Sequence, residues 1–456
     1  MENKNGYMRL KGLKSINKIY FIGIGGISMS ALALFLHGCD YEVCGSDGMR
    51  SEQTEKLTAR GIKVYVGADE TRAELAGADA VVFTDAIPLQ HAELQRAMAL
   101  KKRLYSRADF LGLLCKEFAN VIAVAGSHGK TTCTAMVAHV LKGVGVPFTA
   151  HIGGDDVALG NFYTDGREYF VTEACEYKKN LLKIPAHKAI LLNMDKDHME
   201  CYDGEEDLMN CFRRYCAQAD TSFVCADDEK CLSLGDFPSF GIENSGADYR
   251  ATNLRANGER YSFTVEEYGK ALCRVKLSAI GRCNVYNALA AFAVARSFGF
   301  DEREIVAGLE SFRAIKRRFE KIGVYRGASF ICDYAHHPRE IASTVRTAQG
   351  ICRGKLYVVF QPHTYSRTKL LMPEFLSVLR PLKNLMIYKT YAAREAYDGA
   401  GSAATLSRAL GNSLYAENVY VLKMWLKKTV KEGDVVLFLG AGDIYYAAQY
   451  LLKELQ

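Results

Sequence analysis

The feature that most restricts the fold is the stretch VIAVAGSHGKTT, residues 121–132, in which an apolar run leads into a glycine-containing loop. Residues 131–145 then follow with the periodicity of a helix. A strand, a loop and a helix in this order are the setting of a phosphate loop, G-x-x-x-x-G-K-S/T. Val124 replaces the first glycine and Gly126 comes two residues later, so we predict a shortened loop whose amides bind phosphate at the helix N-terminus.

Two side chains of this loop suit nucleotide chemistry. Lys130 is placed to contact the β- and γ-phosphates of ATP, and the Thr131 hydroxyl is placed to ligate Mg²⁺. The alternative is a helix that is merely capped by glycine and whose lysine is solvated. The predicted ATP-binding residues of the segment are Gly126, Ser127, His128, Gly129, Lys130, Thr131 and Thr132.

Further polar groups stand at predicted strand ends in the same part of the chain. Glu173 ends the run EYFVTE, and Asp197 and His198 follow the run KAILLNM. Ligands of open parallel sheets bind at the carboxyl ends of the strands. We therefore predict that Glu173 and His198 hold a divalent metal ion opposite Thr131, although either residue taken alone is better explained as a polar loop group.

Strand-like and helical runs alternate along the chain, which predicts an α/β protein. Its 456 residues exceed the size of one domain, and the alternation restarts at VIAVA and again near residue 328. A hairpin pattern at residues 260–281 precedes an apolar helix, which we predict to be buried. The predicted domains are a Rossmann-like N-terminal domain (1–113), a central P-loop-type ATPase domain with a parallel sheet and a small antiparallel part (114–315), and a Rossmann-like C-terminal domain (316–456).

Composition favours a cytoplasmic chain that acts on small anionic molecules. The net charge of +6 is spread without a long basic run, which disfavours nucleic acid as a partner. The 14 cysteines form no C-x-x-C pair and are predicted to be reduced, packed thiols. An apolar run at residues 19–36 resembles part of a signal peptide, but three glycines interrupt it, and no other stretch is long enough to span a membrane.

A glycine-rich turn near the N-terminus predicts a second ligand site. Gly23, Gly25 and Gly26 lie where the strand-like run KIYFIGI turns into a helical run. Ser28 takes the place of the third glycine of the dinucleotide fingerprint, and Asp47 closes the next strand. The amides of such a turn bind a diphosphate, and the acidic residue binds a ribose hydroxyl. A nicotinamide cofactor and a UDP-sugar are both candidate ligands, and a tight turn that needs glycine only for steric reasons is the alternative.

Polar residues also accumulate in the second half of the chain. They are Asn284 and Asn287 at the head of the apolar helix, Arg318 in a charged run, and the segments DYAHHP and QPHTYSRT at two strand ends. A helix cap, a solvated charge run and two turns are the ordinary explanations. His336 and His337 beside Asp333 suggest zinc, but no cysteine or third histidine has suitable spacing nearby.

Taken in order, these motifs resemble those of the Mur ligase family. The resemblance covers nearly the full chain and is carried by GIGGISMSALA, GSHGKTT, NMDKDH, GRCNVYNALAA, RRFE, DYAHHPREI, FQPHTYSRT and GAGDI. It implies an N-terminal domain that binds UDP-N-acetylmuramate, a central domain that binds ATP with Mg²⁺ (or Mn²⁺), and a C-terminal domain that binds L-alanine. ATP would phosphorylate the muramoyl carboxylate, and the amine of alanine would attack the acyl phosphate.

The resemblance also implies roles for individual residues. The implied catalytic residues are Lys130, Glu173, His198 and Arg318, and the implied metal ligands are Thr131, Glu173 and His198. The implied substrate contacts are Asn284, Asn287, Arg318 and Asp333 for ATP, Gly23, Gly25, Gly26, Ser28 and Asp47 for the UDP portion, and Tyr334, His336 and Arg367 for the amino acid.

The chain departs from the family pattern twice. Cys175 replaces an acidic residue of the common E-A-D-E, and Thr364 replaces the arginine that often follows FQPH. Three other functions stay open: a ligase that attaches a recycled tripeptide to UDP-N-acetylmuramate, an NAD-dependent oxidoreductase, and a regulator that binds nucleotide without turnover. We expect no nucleic-acid or membrane partner, and a monomer or weak homodimer.

Overall fold

Three β-sheets with helices between their strands make up the computed structural model, which describes residues 9–196, 198–258, 260–393 and 395–455. The chain divides into two compact units. The first unit contains the first sheet and most of the second, and the second unit contains the third sheet. The predicted three-domain α/β architecture is confirmed, while the boundaries at 113/114 and 315/316 stay predictions.

The first sheet has five parallel strands in the order β3-β2-β1-β4-β5. The strands are β1 (Lys18–Ile22), β2 (Glu42–Asp47), β3 (Lys63–Val66), β4 (Ala80–Phe83) and β5 (Arg103–Ser106), and the helices are α1 (Ile27–Gly38), α2 (Glu52–Ala59), α3 (Ala73–Ala76), α4 (Ala92–Ala99) and α5 (Arg107–Cys115). The strand order reverses beside β1, so the loop after β1 opens where ligands of doubly wound sheets bind.

The second sheet has ten strands in the order β15-β14-β13-β12-β11-β10-β6-β9-β7-β8. The strands are β6 (Asn120–Ala125), β7 (Phe148–Asp156), β8 (Gly160–Thr164), β9 (Tyr169–Glu173), β10 (Lys188–Leu191), β11 (Thr221–Cys225), β12 (Ser239–Gly241), β13 (Tyr249–Asn257), β14 (Arg260–Glu267) and β15 (Lys270–Ile280). The helices are α6 (Lys130–Val144), α7 (Glu205–Ala217), α8 (Glu229–Leu232), α9 (Cys283–Ser297) and α10 (Glu302–Ser311). β6 pairs in parallel with both β9 and β10, so the loops after these three strands share one edge.

Strands β7 and β8 are antiparallel, and the sequence pattern predicts neither of them. Buried polar residues interrupt the apolar alternation that reveals a strand: Thr149 and His151 on β7 and Asn161 on β8. Each of them is hydrogen-bonded, which removes the cost of its burial.

The third sheet has six strands in the order β16-β17-β21-β18-β19-β20, all parallel except for the antiparallel β16. The strands are β16 (Glu320–Tyr325), β17 (Ala328–Asp333), β18 (Leu356–Phe360), β19 (Leu385–Tyr388), β20 (Leu414–Ala416) and β21 (Val435–Leu439). The helices are α11 (Pro338–Ile351), α12 (Tyr365–Leu370), α13 (Met372–Leu379), α14 (Ala403–Leu410), α15 (Val419–Thr429) and α16 (Ile444–Leu455), and short 3₁₀ helices occur at Lys11–Leu13, Tyr177–Lys183, Met199–Cys201 and Gly399–Gly401.

The first two sheets share a continuous hydrophobic core. The Phe35 ring of α1 lies 5.9 Å from the Phe162 ring of β8 and 6.0 Å from Phe118, which stacks on Phe170 at 4.6 Å. Aromatic pairs at such distances are favourable beyond the area that they bury. Helix α1 is therefore packed against both sheets, and the loop that precedes it is held close to the second sheet.

The apolar helix α9 is buried, as predicted, and every residue from 287 to 295 is buried. The cysteines are all free thiols, also as predicted. Nine of the 14 are buried, four are partly buried, and Cys283 is exposed. Among the described residues, no helix combines the length and the apolar character needed to cross a bilayer.

Candidate functional site

The predicted phosphate loop connects β6 to α6 through two glycines in left-handed or related backbone conformations. Gly126 has φ of 130° and Gly129 has φ of 87°, and α6 begins at Lys130. A Cβ atom at residue 129 would lie 2.7 Å from Oδ1 of Asn287. Glycine is therefore required at position 129 both by the backbone and by the neighbouring side chain. The loop provides no side-chain cap for α6, so the first amides of this helix can bind an anionic ligand.

The segment that follows β10 fixes the shape of this loop. The amide of His128 donates to Asn193 Oδ1 at 2.8 Å, and the Asn193 side chain donates back to the His128 carbonyl at 3.0 Å. The amide of Asp195 donates to Ser127 Oγ at 2.8 Å, and Asp195 Oδ2 lies 3.1 Å from His128 Nε2. Sequence reasoning missed Asn193 and Asp195, although both stand in the quoted motif NMDKDH.

Lys130 forms a buried ion pair that the sequence analysis did not anticipate. Its Nζ lies 3.0 Å from Oε1 of Glu176, whose side chain is 1% exposed, and it donates to the carbonyls of Gly126 at 2.5 Å and Ser127 at 3.1 Å. Burial by itself lowers the pKa of Lys130, but the charge and hydrogen bond of Glu176 together with the charges of Cys175 and Glu173 outweigh burial, and the net pKa is raised. The lysine is therefore held as a cation at the start of α6.

The three predicted metal ligands follow three adjacent strands. Thr131 lies in the first turn of α6 after β6, Glu173 ends β9, and His198 comes after β10. Glu173 Oε1 accepts from the amide of Gly153 at 2.7 Å, and the His198 ring packs on Tyr177 at 5.2 Å. Asp197, beside His198, lies outside the described residues.

A buried carboxylate oxygen of Glu176, near Lys130, indicates whether a cation fits at this edge of the second sheet. Oε2 of Glu176 is buried and accepts no hydrogen bond from any described residue. A buried carboxylate oxygen of this kind suits a hard divalent cation, as do the Thr131 hydroxyl and the Glu173 carboxylate. The donor set of this edge therefore fits Mg²⁺ or Mn²⁺, and Glu176 joins the candidates.

The two asparagines at the head of α9 lie together beside the loop. Asn287 is buried and donates to Asn284 Oδ1 at 2.9 Å, and its own Oδ1 is the atom that lies against Gly129. The structure thus places Asn287 against the predicted phosphate loop, and Asn284 accepts the hydrogen bond of its amide.

The glycine-rich turn of the first sheet is hydrogen-bonded to Asp47, the acidic residue predicted to act with it. Asp47 Oδ2 accepts from the amide of Gly25 at 2.8 Å, and a Cβ atom at residue 25 would lie 2.7 Å from the Thr54 methyl carbon. One carboxylate oxygen of Asp47 therefore stabilises the turn itself. Gly26 is the last residue before α1 and makes no side-chain cap, so the first amides of α1 can bind an anion.

Ser28, in the first turn of α1, contacts a residue that sequence reasoning missed. Its Oγ lies 2.8 Å from Nε2 of His151 on β7, and Nδ1 of His151 lies 2.9 Å from the hydroxyl of Thr172 on β9. The isolated histidine in FTAHIGG carries no motif signal, so only the structure reveals this contact.

In the second unit, Asp333 organises the end of β17. Its Oδ2 accepts from the amide of Phe319 at 2.7 Å and its Oδ1 from that of Ala335 at 2.8 Å. Burial raises the pKa of Asp333, and the positive charge of Arg318 opposes that rise. The guanidinium carbon of Arg318 lies 5.0 Å from the Tyr334 ring centre, within the range of a cation–π contact. Asp333, Arg318 and Tyr334 are thus brought together.

The predicted amino-acid residues of the second unit form a cluster of rings and a guanidinium group. The His336 ring lies 5.5 Å from Tyr334 and 5.7 Å from His363, and Arg367 Nη1 lies 3.2 Å from His363 Nδ1. Thr364 has φ of 66°, and its Oγ1 lies 3.4 Å from the Arg367 amide. The structure therefore joins Tyr334, His336 and Arg367 through His363, which was quoted in a motif but was not predicted as a site residue.

Models of protein families match all three parts of the chain. The Mur ligase family, catalytic domain, matches residues 18–119, the Mur ligase middle domain matches residues 124–295, and the Mur ligase, glutamate ligase domain, matches residues 317–442.

Individual relatives match over almost the whole length. The UDP-N-acetylmuramate–L-alanine ligase of Caldicellulosiruptor saccharolyticus is 37% identical over 452 residues, with 96% of this chain and 99% of the relative covered. The enzyme of the same name from Clostridium acetobutylicum is 37% identical over 451 residues, with 96% and 98% covered.

Two solved structures are also similar to this chain over nearly its whole length. The crystal structure of UDP-N-acetylmuramate–alanine ligase from Thermotoga maritima superposes with a TM-score of 0.82 at 30% identity, covering 96% of this chain and 98% of that chain. A murein peptide ligase from Psychrobacter arcticus has a TM-score of 0.74 at 23% identity, covering 96% and 98%, and at that identity it supports the fold alone.

Proposed function

Because the chain belongs to the Mur ligase family, we propose that it joins L-alanine to the muramoyl carboxylate of UDP-N-acetylmuramate in the cytoplasm. ATP is the second substrate, and ADP and phosphate are released. Relatives that carry this activity in their names match over nearly the whole chain, which supports the choice of substrates.

The observation that carries the proposal is the arrangement around Lys130. The lysine stands at the start of α6, after a loop with two positive-φ glycines, and carboxylates lie beside it. Joining a carboxylate to the γ-phosphate of ATP brings two anions together, so cations and amide dipoles must first reduce their repulsion. Lys130 and the amides of α6 supply a cation and dipoles at one place.

Thr131, Glu173 and His198 would hold a divalent cation, with Glu176 as an additional carboxylate. Such an ion would supply positive charge that offsets the negative charge developing during phosphoryl transfer. The shortened loop, with Asn193 and Asp195 behind it, would hold the triphosphate still while the muramoyl oxygen attacks the γ-phosphorus and ADP leaves.

The remaining substrates are proposed to bind at the other two sheets. In the first sheet the Gly23–Ser28 turn, with Asp47, would bind the UDP portion of the sugar substrate. In the second unit Arg318 and Asp333 would contact the nucleotide, and Tyr334, His336 and Arg367 would bind alanine. The amine of alanine attacks the acyl phosphate, and the tetrahedral intermediate loses phosphate to leave the amide.

Phosphate release measured with UDP-N-acetylmuramate, ATP and a panel of amino acids tests the proposal. We expect release that requires all three substrates and that is fastest with L-alanine. The same assay with the tripeptide L-Ala-γ-D-Glu-diaminopimelate tests the recycling ligase. Turnover with the tripeptide alone would refute the proposed amino-acid substrate, and nucleotide binding without any turnover would refute the proposed reaction.

A further inference from the structure

A buried histidine attaches the proposed nucleotide-sugar turn to the second sheet, and the reaction described above gives it no role. His151 lies on β7 with 4% of its surface exposed, and its two ring nitrogens contact the hydroxyls of Ser28 and Thr172. Ser28 belongs to α1 and Thr172 directly precedes Glu173 on β9. A single imidazole therefore connects the turn with the strand that carries a proposed metal ligand.

The contacts determine where the ring carries its hydrogen. Burial, and after it the positive charge of Arg107, lower the pKa of His151 to about 4, so the ring is neutral and has one N–H. Nε2 lies 2.8 Å from Ser28 Oγ and 3.4 Å from the Ser28 carbonyl oxygen, which can only accept. The Thr172 hydroxyl has two acceptors within reach, Nδ1 of His151 at 2.9 Å and the Glu173 carbonyl oxygen at 3.3 Å, and we assign its hydrogen to the nearer one. Nδ1 is then the acceptor, and the ring hydrogen is on Nε2, where the Ser28 carbonyl oxygen also requires a donor.

This assignment determines what the Ser28 hydroxyl can do. Because its oxygen accepts from His151, its own hydrogen remains for donation to another acceptor, and Ser28 is only half-buried. It also stands in the first turn of α1, next to the amides proposed to bind the diphosphate.

We propose that His151 is a positioning residue for the nucleotide-sugar substrate, which donates to Ser28 Oγ and thereby directs the Ser28 O–H towards the substrate diphosphate. The inference rests on the proposed function of the Gly23–Ser28 turn. It adds a residue of the second sheet to the determinants of sugar-nucleotide affinity.

Helix α1 has a second attachment, which makes the proposal testable without unfolding the protein. Asn161 on β8 donates to the Ile27 carbonyl at 2.7 Å and to Ser30 Oγ at 3.0 Å. Substitution of His151 therefore leaves the start of α1 docked and changes chiefly the orientation of the Ser28 hydroxyl.

Two amide variants separate the two contacts of the ring. In His151→Gln the side-chain amide reaches the position of Nε2, and in His151→Asn it reaches only the position of Nδ1. We expect His151→Asn to raise the Kd for UDP-N-acetylmuramate about fivefold to tenfold, the effect of about one hydrogen bond. His151→Gln should stay within about twofold of the wild type, and the Kd for ATP should change less than about twofold in both.

Ser28→Ala completes the experiment. It should weaken sugar-nucleotide binding by about the same factor as His151→Asn, and the double variant should bind no more weakly than Ser28→Ala alone. Thr149→Val is the matched control, because it removes another buried hydrogen-bonding group of β7 whose partners are Thr164 and Gly166. It should leave the Kd unchanged.

Isothermal titration calorimetry of the full chain decides between the outcomes. An unchanged Kd in His151→Asn, equal losses for the nucleotide sugar and ATP, or additive effects of the two substitutions would each overturn the positioning role. Failure of the wild-type protein to bind UDP-N-acetylmuramate would instead overturn the proposed function, and this inference with it.

Discussion

Replacing Lys130 by methionine should destabilise the first unit as well as abolish ligation. Lys130 Nζ and Glu176 Oε1 are 3.0 Å apart, and the two side chains are 15% and 1% exposed. Removing one partner of a buried pair leaves a charge without compensation, at a cost of about 3–5 kcal/mol. Because the lysine retains slight exposure, we expect a loss of about 3 kcal/mol, the lower end of that range.

The double variant separates stability from catalysis. In Glu176→Gln the ammonium group keeps the carbonyls of Gly126 and Ser127, so the loss should be about 1–2 kcal/mol. Lys130→Met combined with Glu176→Gln removes both charges and should unfold within about 1 kcal/mol of the wild type. Ligation should stay lost in every variant that lacks the lysine.

Calorimetry that resolves the unfolding of each unit is the suitable assay. A loss of about 3 kcal/mol corresponds to roughly 5 °C in Tm for the first unit, which has about 300 residues. Lys179→Met is the matched control, since Lys179 forms a more exposed pair with Asp207 at 2.8 Å, and its Tm should change far less than that of Lys130→Met. If Lys130→Met and the double variant melt at the same temperature, the two charges are not coupled and the reasoning is wrong.

Three further outcomes follow from single positions. Gly129→Ala should weaken ATP binding about tenfold or more in calorimetric titration, because alanine at φ of 87° is strained and its Cβ would clash with Asn287. Gly145→Ala is the control, since residue 145 has a similar φ of 80° but open space around it, and the affinity for ATP should stay unchanged. Arg367→Ala should raise the KM for alanine about tenfold, and Lys369→Ala on the same helix should not; equal KM values in steady-state assays would remove Arg367 from the alanine site. Between pH 6.5 and about 4, His151 is protonated in the unfolded chain but not in the folded chain, because its pKa in the folded chain is lowered to about 4. The free energy of unfolding therefore decreases as the pH falls, by up to about 1.4 kcal/mol per pH unit. Denaturant titrations of His151→Gln should show a smaller decrease over the same pH range.

Local patterns were sufficient to predict most of the architecture. Most of the central parallel strands are continuous apolar runs separated by helical stretches, because both faces of such sheets are covered. Several strands escaped prediction, among them the β7–β8 hairpin, where Thr149 and His151 are buried with their hydrogen bonds made by residues elsewhere in the chain. Their polarity hides the strand, and only the folded chain shows what satisfies them.

The site was foreseen where a motif places residues next to one another in sequence. The loop glycines, Lys130 and Thr131 fall into this class, since a strand–loop–helix unit fixes their geometry locally. Glu176 and His151 fall outside it, because their partners lie 46 and 123 residues away. Neither contact follows from periodicity or spacing, and each depends on how distant strands come side by side.

Because the cysteines differ in exposure, their rates of chemical modification can report local opening of the protein. A maleimide at neutral pH will react with Cys283 first, because it is the one exposed cysteine among the described residues. A fluorophore can therefore be attached at the start of α9 without any substitution. Burial raises the pKa of Cys44 to about 11 and that of Cys216 to about 12, so these sulfurs are both shielded and protonated. The rates at which the buried cysteines are modified, measured by mass spectrometry, will therefore report how often each region opens. Comparing these rates with and without each substrate will show which regions that substrate stabilises.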